Sequence, residues 1–222
     1  MAIQLYVGLV AEGTTDHRFL HSVIERLLLE VANDCRSDVI VESIFTISKE
    51  PGSFVDAMTN AAKVAYDNGA SILCVHADAD DRSSNDVYTN KITPYLSRLS
   101  SMPESEYCKN IIPIIPVQMI ESWMMADKEL LKRQINANTF SDVDLGLHRN
   151  PEHYSDPKQA IENAIIEAQR GLVRKKRHTV TISDLYEELG NMVKLDKLRS
   201  LPSFQDFERK TREVFRGMGD LE

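Results

Sequence analysis

The chain has 222 residues, 42% apolar and 27% charged, with a formal net charge of −8. That length suits one α/β domain of ordinary size with extra helices, and the composition excludes a fibrous or intrinsically disordered protein. The acidic balance excludes binding of nucleic acid through an all-over positive charge but leaves room for a local basic patch.

Ile3-Gln4-Leu5-Tyr6-Val7 opens the chain as a strand, with no basic, cleavable leader ahead of it. No apolar run reaches the ~20 residues needed to cross a bilayer, so a cytoplasmic location and no membrane partner are expected. The near-continuous apolar character from Ile3 to Val10 is that of a strand covered on both faces in a parallel sheet. Glu12-Gly13 interrupts it, Thr14 or Thr15 can cap a helix, and apolar residues from Phe19 to Val31 recur at helical spacing. The spacing predicts a helix over 15–33.

Val39 to Ile47 reads as a second strand. Ser53 with Asp56 three residues later is a capping-box start for the next helix, which Gly69 is placed to end. Ile72 to Val75 is a third strand and runs directly into Asp78-Ala79-Asp80. Cys74 within it reads as a small buried hydrophobe, and three scattered cysteines suggest neither a disulfide framework nor a zinc ribbon. A helix over 87–99 contains Pro94, which kinks or breaks it. Ile111 to Met119 is a fourth strand-like run; Pro113 and Pro116 make it an edge or bulged strand, with a proline-rich peptide ligand as the alternative. A helix is expected from Ile120 to Gln134.

Strands alternating with helices predict an α/β fold with a mainly parallel sheet of about four strands and right-handed crossovers. From residue 135 the character changes. Asp156-Pro157 starts a helix, a basic run occupies 174–177, and further helices are expected near 183–189 and 203–215. The expected organisation is an α/β core over 1–134 and a helical C-terminal extension over 135–222 packed on it.

The chemistry lies where strands end, because ligands of parallel sheets bind outside the carboxyl ends of the strands. Glu12 is followed by a glycine that lets the backbone turn sharply; its plainer role is a solvated carboxylate near a helix N-terminus. Asp78 and Asp80 share one side if the extended path persists, and two such carboxylates repel unless a cation neutralises them. Oxygen-only donors favour Mg²⁺, Mn²⁺ or Ca²⁺ over Zn²⁺. The alternative is a polar loop facing water. His17 and His21 have zinc-helix spacing, but Arg18 stands where the general-base Glu would be. His76 shares the face of Asp78, as a local base or a buried strand histidine. No P-loop, dinucleotide fingerprint or hydrolase elbow occurs.

Val10-Ala11-Glu12-Gly13-Thr14-Thr15-Asp16 together with Asp78-Ala79-Asp80 resembles the toprim domain of topoisomerases, bacterial-type primases and overcoming-lysogenization-defect nucleases. More closely, the chain resembles a prokaryotic toprim-like family known as domain of unknown function 4276. The shared pieces are Glu12-Gly13-Thr14, Asp78-x-Asp80, Ile120-Glu121-Ser122-Trp123, Pro151-Glu152, Asp156-Pro157-Lys158 and Leu201-Pro202-Ser203-Phe204. The resemblance implies a toprim-like (Rossmann-like) fold and Mg²⁺ held by Glu12, Asp78 and Asp80 for phosphodiester chemistry. Glu121 would be a fourth ligand or would orient water, with a helix cap as its plainer role. Trp123 reads as a core anchor.

Arg174, Lys175, Lys176 and Arg177 form the one dense basic run, either a solvated loop or a clamp on the phosphates of a substrate. The expected function is therefore Mg²⁺-dependent cleavage of nucleic acid in prokaryotic defence or mobile-element biology. Two alternatives stand beside it: a non-catalytic metal-binding subunit working with an ATPase partner, and phosphoryl transfer on a nucleotide or other small molecule. Oligomeric state is not legible in the sequence.

Overall fold

A computed structural model of the chain describes residues 2–170 and 180–219. The first expected strand is present but interrupted at Tyr6, giving β1 (Ile3–Leu5) and β2 (Val7–Val10). The second is likewise split into β3 (Val39–Val41) and β4 (Phe45–Thr46). With β5 (Ile72–His76) and β6 (Ile111–Ile114) they form two parallel sheets: β1 pairs with β3, and the larger sheet runs in the order β4-β2-β5-β6. Every pairing is parallel, as continuous apolar runs predict.

Pro113 lies in β6 opposite Val75, at the edge of the sheet, where a missing donor costs least. Ile111, Ile112, Ile114 and Ile115 are all buried, which removes the peptide-ligand alternative.

The strands divide the interior by their alternation. Leu5, Val7 and Leu9, with Ile72 and Cys74, face a cluster built on α1 (Thr14–Asn33). Val10, Leu73 and Val75 face a second cluster built on α2 (Phe54–Asp67). α1 begins one residue earlier than its apolar stripe predicts: Gly13 is its N-cap rather than a threonine, and Asp16 accepts a 2.8 Å hydrogen bond from the Gly13 N–H. Ser53 caps α2 as expected, accepting from the Asp56 N–H at 3.2 Å, and Gly69 follows it at a φ of +77° that favours glycine.

The helix expected to contain Pro94 is broken into three pieces. The chain runs through α3 (Asn85–Val87), a π-helical turn over Tyr88–Ile92, and α4 (Thr93–Ser100), so that Pro94 falls in the first turn of α4, where its missing N–H is harmless. The single helix expected over 120–134 is two: α5 (Glu121–Met124) and α6 (Lys128–Gln134). Asp127 separates them, accepting from the Leu130 N–H at 3.0 Å and capping α6 afresh.

The C-terminal part contains α7 (Pro157–Arg170), α8 (Ile182–Met192), α9 (Leu195–Leu198) and α10 (Pro202–Gly217). It shares its core with α1. One cluster joins Phe19, Leu20 and Leu27 of α1 to Leu185 and Leu189 of α8 and to Phe204, Phe207 and Phe215 of α10. Among the described residues, no helix is long and apolar enough to cross a membrane.

Candidate functional site

The sheet order decides where a ligand can enter. From β2 the chain moves outward to β4, then returns to β5 on the other side of β2. Successive right-handed crossovers in opposite directions send α1 and α2 to opposite faces and leave a crevice at the carboxyl ends of β2 and β5. Glu12 stands two residues beyond β2, and Asp78 two beyond β5. The two sequence motifs therefore flank one switch point.

A buried imidazole joins them. His76, the last residue of β5, is 1% exposed and lies on the α1 face, as does Asp78 two residues later. Its Nε2 is 3.3 Å from Asp78 Oδ1 and its Nδ1 is 3.7 Å from Asp16 Oδ2. Neither ring nitrogen has a well-aligned hydrogen-bond partner among the described residues, but both carboxylates are close enough to favour a protonated ring. Burial pushes the His76 pKa down, but Asp78, Asp16 and Glu12 together push harder, and the net displacement is upward. Asp16 meanwhile holds the Gly13 N–H, so one carboxylate both fixes the Glu12-Gly13 turn and faces His76.

Asp78 is held from the other side by the segment that leads from β6 into α5. Its Oδ1 accepts from the Ile120 N–H at 3.0 Å, and the next residue, Glu121, opens α5. Glu121 is buried and receives the hydroxyl of Tyr186 from α8. Burial raises its pKa, the Asp78 charge adds to the rise, and the Tyr186 bond and Lys158 oppose it. A carboxyl with a raised folded pKa supports the fold fully below its unfolded value, and that support is lost as pH rises through the folded pKa. Tyr186→Phe removes an opposing bond and leaves the carboxylate buried without that donor. The expected loss at neutral pH is about 2 kcal/mol, shrinking once the solution is acidic enough to protonate Glu121. Urea denaturation at both pH values checks this; an equal loss at each would remove Glu121 ionisation as its cause.

Asp80 departs from the expectation. The N–H groups of Ala77 and Ala79 donate to the carbonyls of Ile114 and Pro116, both at 3.1 Å, so the extended path continues past β5. It stops at Asp80, where φ is +53° and the N–H goes to Gln118 O at 2.8 Å. Gln118, with φ of +61°, returns a 2.9 Å bond to Asp81 O. The alternation that would aim Asp80 beside Asp78 is broken there, and Asp80 is exposed.

Glu12 is accompanied by two cations the sequence did not reveal. Lys49 Nζ and Lys91 Nζ lie 3.7 and 3.8 Å from Glu12 Oε1. Lys49 follows β4 by three residues and Lys91 sits in the π-helical turn, so only the sheet order brings them together. The basic run Arg174, Lys175, Lys176 and Arg177 lies outside the described residues.

The donors suit a hard divalent cation in kind, since Glu12, Asp78 and Asp80 offer only carboxylate oxygen and Asp78 Oδ2 makes no hydrogen bond among the described residues. They are not gathered: among the described residues, no group of three or more His, Cys, Asp or Glu side chains converges as a metal site. His17 and His21 make no zinc helix either, and His21 Nε2 lies 3.1 Å from Ile44 O.

A second set of short sequence pieces meets beside the site. Trp123 of α5 is fully buried, with its ring centroid 5.1 Å from Phe204 in an edge-on contact and 5.8 Å from Phe207. Its Nε1–H donates to Ser203 Oγ at 2.7 Å, and Ser203 donates through Oγ at 2.5 Å and N–H at 3.0 Å to Glu152 Oε1. Trp123 is thus a core anchor, as its surroundings in the sequence suggested, and Glu152 caps the N-terminus of α10.

No curated protein and no solved structure matches the chain. The family model described as Domain of unknown function (DUF4276) matches residues 11–211, which takes in the Glu12 turn, the Asp78 loop, Glu121 and the Trp123–Ser203–Glu152 junction. The chain belongs to the DUF4276 family.

Proposed function

We propose that the chain is a toprim-like, Mg²⁺-dependent phosphodiesterase acting on nucleic acid. The observation that carries this reading is the placement of Glu12 and Asp78 two residues beyond the neighbouring strands β2 and β5, with His76 lying between Asp78 and Asp16. Of the three residues expected to hold Mg²⁺ or Mn²⁺, Glu12 and Asp78 would do so here, Asp80 being turned away from Asp78, and the cation would supply Lewis acidity toward a phosphoryl oxygen and toward water. The chain's own groups do the rest. Lys49 and Lys91, held beside Glu12, would supply positive charge toward a backbone phosphate at this end of the sheet. The Ile120 N–H and His76 both engage Asp78 Oδ1 and leave Oδ2 without a hydrogen bond among the described residues.

The test is incubation of the full chain with single- and double-stranded DNA and RNA and Mg²⁺ or Mn²⁺. Cleavage is expected, with a loss of at least ~100-fold on Asp78→Ala or Asp78→Asn, the size of a lost metal contribution. Circular dichroism confirms that the variants fold. Absent cleavage, or cleavage that survives both substitutions, overturns the reading.

The charge pairing of Glu12 with two lysines favours a second reading, a non-catalytic binding subunit of an ATPase partner. Co-purification with such a partner, in the absence of turnover, would decide for it.

A further inference from the structure

A cavity of about 670 Å³ is not formed by the carboxylates of the switch point but lies next to the loop that carries Asp78 and Asp80. One wall is the loop at Arg82 and Ser84, which follows Asp80 directly; another is Val117, between the two residues whose carbonyls hold Ala79 and Asp80. The far side is Glu152, Pro202 and Asp206. Its size is that of a small-molecule site, about 300–1,000 Å³, and a duplex is too wide to enter it.

The lining specifies the ligand. Of the two charged side chains that line it from opposite walls, Glu152 is nine-tenths buried, at 7% exposure, whereas Arg82 is exposed to solvent. A phosphate driven inward would meet a desolvated carboxylate and be repelled. The group that meets Glu152 must instead carry N–H donors. Ser203 occupies only Oε1 of Glu152, leaving Oε2 to accept among the described residues. Asp206 is already engaged by the Tyr88 hydroxyl at 2.6 Å and by Arg209. Val117 and Pro202 offer apolar surface to a flat ring, and the Ser84 hydroxyl can donate or accept.

We infer that this cavity receives one unpaired nucleobase bearing an exocyclic amine, from a nucleic-acid strand whose adjoining phosphate passes Arg82 toward the Asp78 loop. In a duplex that amine is paired and turned inward, so the ligand is a single strand or an extruded base. The inference deepens the phosphodiesterase reading and rests on it for the identity of the strand.

Binding is measured on the full chain with EDTA present, so that cleavage does not intrude. The probes are labelled single-stranded oligo(dA), oligo(dC) and oligo(dT), a blunt duplex, and AMP as the free nucleotide. Oligo(dA) and oligo(dC) are expected to bind about tenfold tighter than oligo(dT), the effect of one buried hydrogen-bond partner, and the duplex more weakly than any. Ser84→Trp, which fills the cavity from a half-buried position in its lining loop, is expected to bring oligo(dA) down to the oligo(dT) level. Glu152→Gln keeps an acceptor for Ser203 but replaces the free acceptor with a donor, and is expected to shift the preference toward oligo(dT). Equal affinity for all three strands, or no effect of Ser84→Trp, overturns the inference. Equal affinity for AMP and oligo(dA) overturns the strand and leaves a free nucleotide. Base-selective binding without cleavage once Mg²⁺ is added would sink the phosphodiesterase reading alone; cleavage indifferent to base and to Ser84→Trp would sink the cavity alone.

Discussion

Gly190→Ala lowers the melting temperature of the full chain by about 5–10 °C, the size expected for a loss near the upper end of overpacking costs in a chain of this length. Gly190 sits in α8 where that helix crosses α1. A Cβ there would lie 2.6 Å from the Phe19 carbonyl oxygen and 2.8 Å from its Cα. Both are backbone atoms, so no rotamer change relieves the contact and the two helices must separate. In an isolated helix the same change would gain ~1 kcal/mol from propensity. The clash wins because separation loosens Phe19, Leu185 and Leu189, all buried in one cluster. Arg26 of α1, which donates to the Gly190 and Val193 carbonyls at the end of α8, shifts with them. Calorimetry reads the outcome directly, and an unchanged or raised midpoint would show that α1 and α8 are not in backbone contact. Since Tyr186 lies on the same helix and bonds Glu121, the substitution also displaces a wall of the site.

Trp123→Ala is expected to cost about 3–5 kcal/mol, the range for removing a large buried aromatic side chain. It opens a cavity against Phe204 and Phe207 and takes the Nε1–H donor from Ser203. Trp123→Phe keeps most of the ring packing and removes the donor, so its cost is about 1–2 kcal/mol, that of an unmade buried hydrogen bond with some lost volume. Chemical denaturation of both variants separates the two contributions. Equal losses would mean that the hydrogen-bonded chain to Glu152, and not ring packing, anchors α10.

Helix positions were legible where an apolar stripe or a cap lies within a few residues. The stripe from Phe19 to Val31 located α1, and Ser53 with Asp56 located the start of α2. Interruptions were less so: neither the pause at Tyr6 nor the second cap at Asp127 disturbs the apolar pattern, and each depends on hydrogen bonds made after packing. Within the site, the strand-end positions of Glu12 and Asp78 could be read locally. The turning away of Asp80 could not, because it is enforced by Gln118, far along the chain and paired to it across the edge of the sheet.

By itself the sequence determined the α/β class, the parallel strands and the carboxylates at their ends, since periodicity and turn residues act over one or two turns of chain. Only the tertiary structure decided that β2 and β5 are neighbours, that His76 and Asp16 stand between the two motifs, and that Lys49 and Lys91 flank Glu12. It also decided that Trp123, Glu152 and Ser203 form one junction. These are contacts between residues distant in the chain, set by sheet order and helix packing, and no local pattern of side chains encodes them.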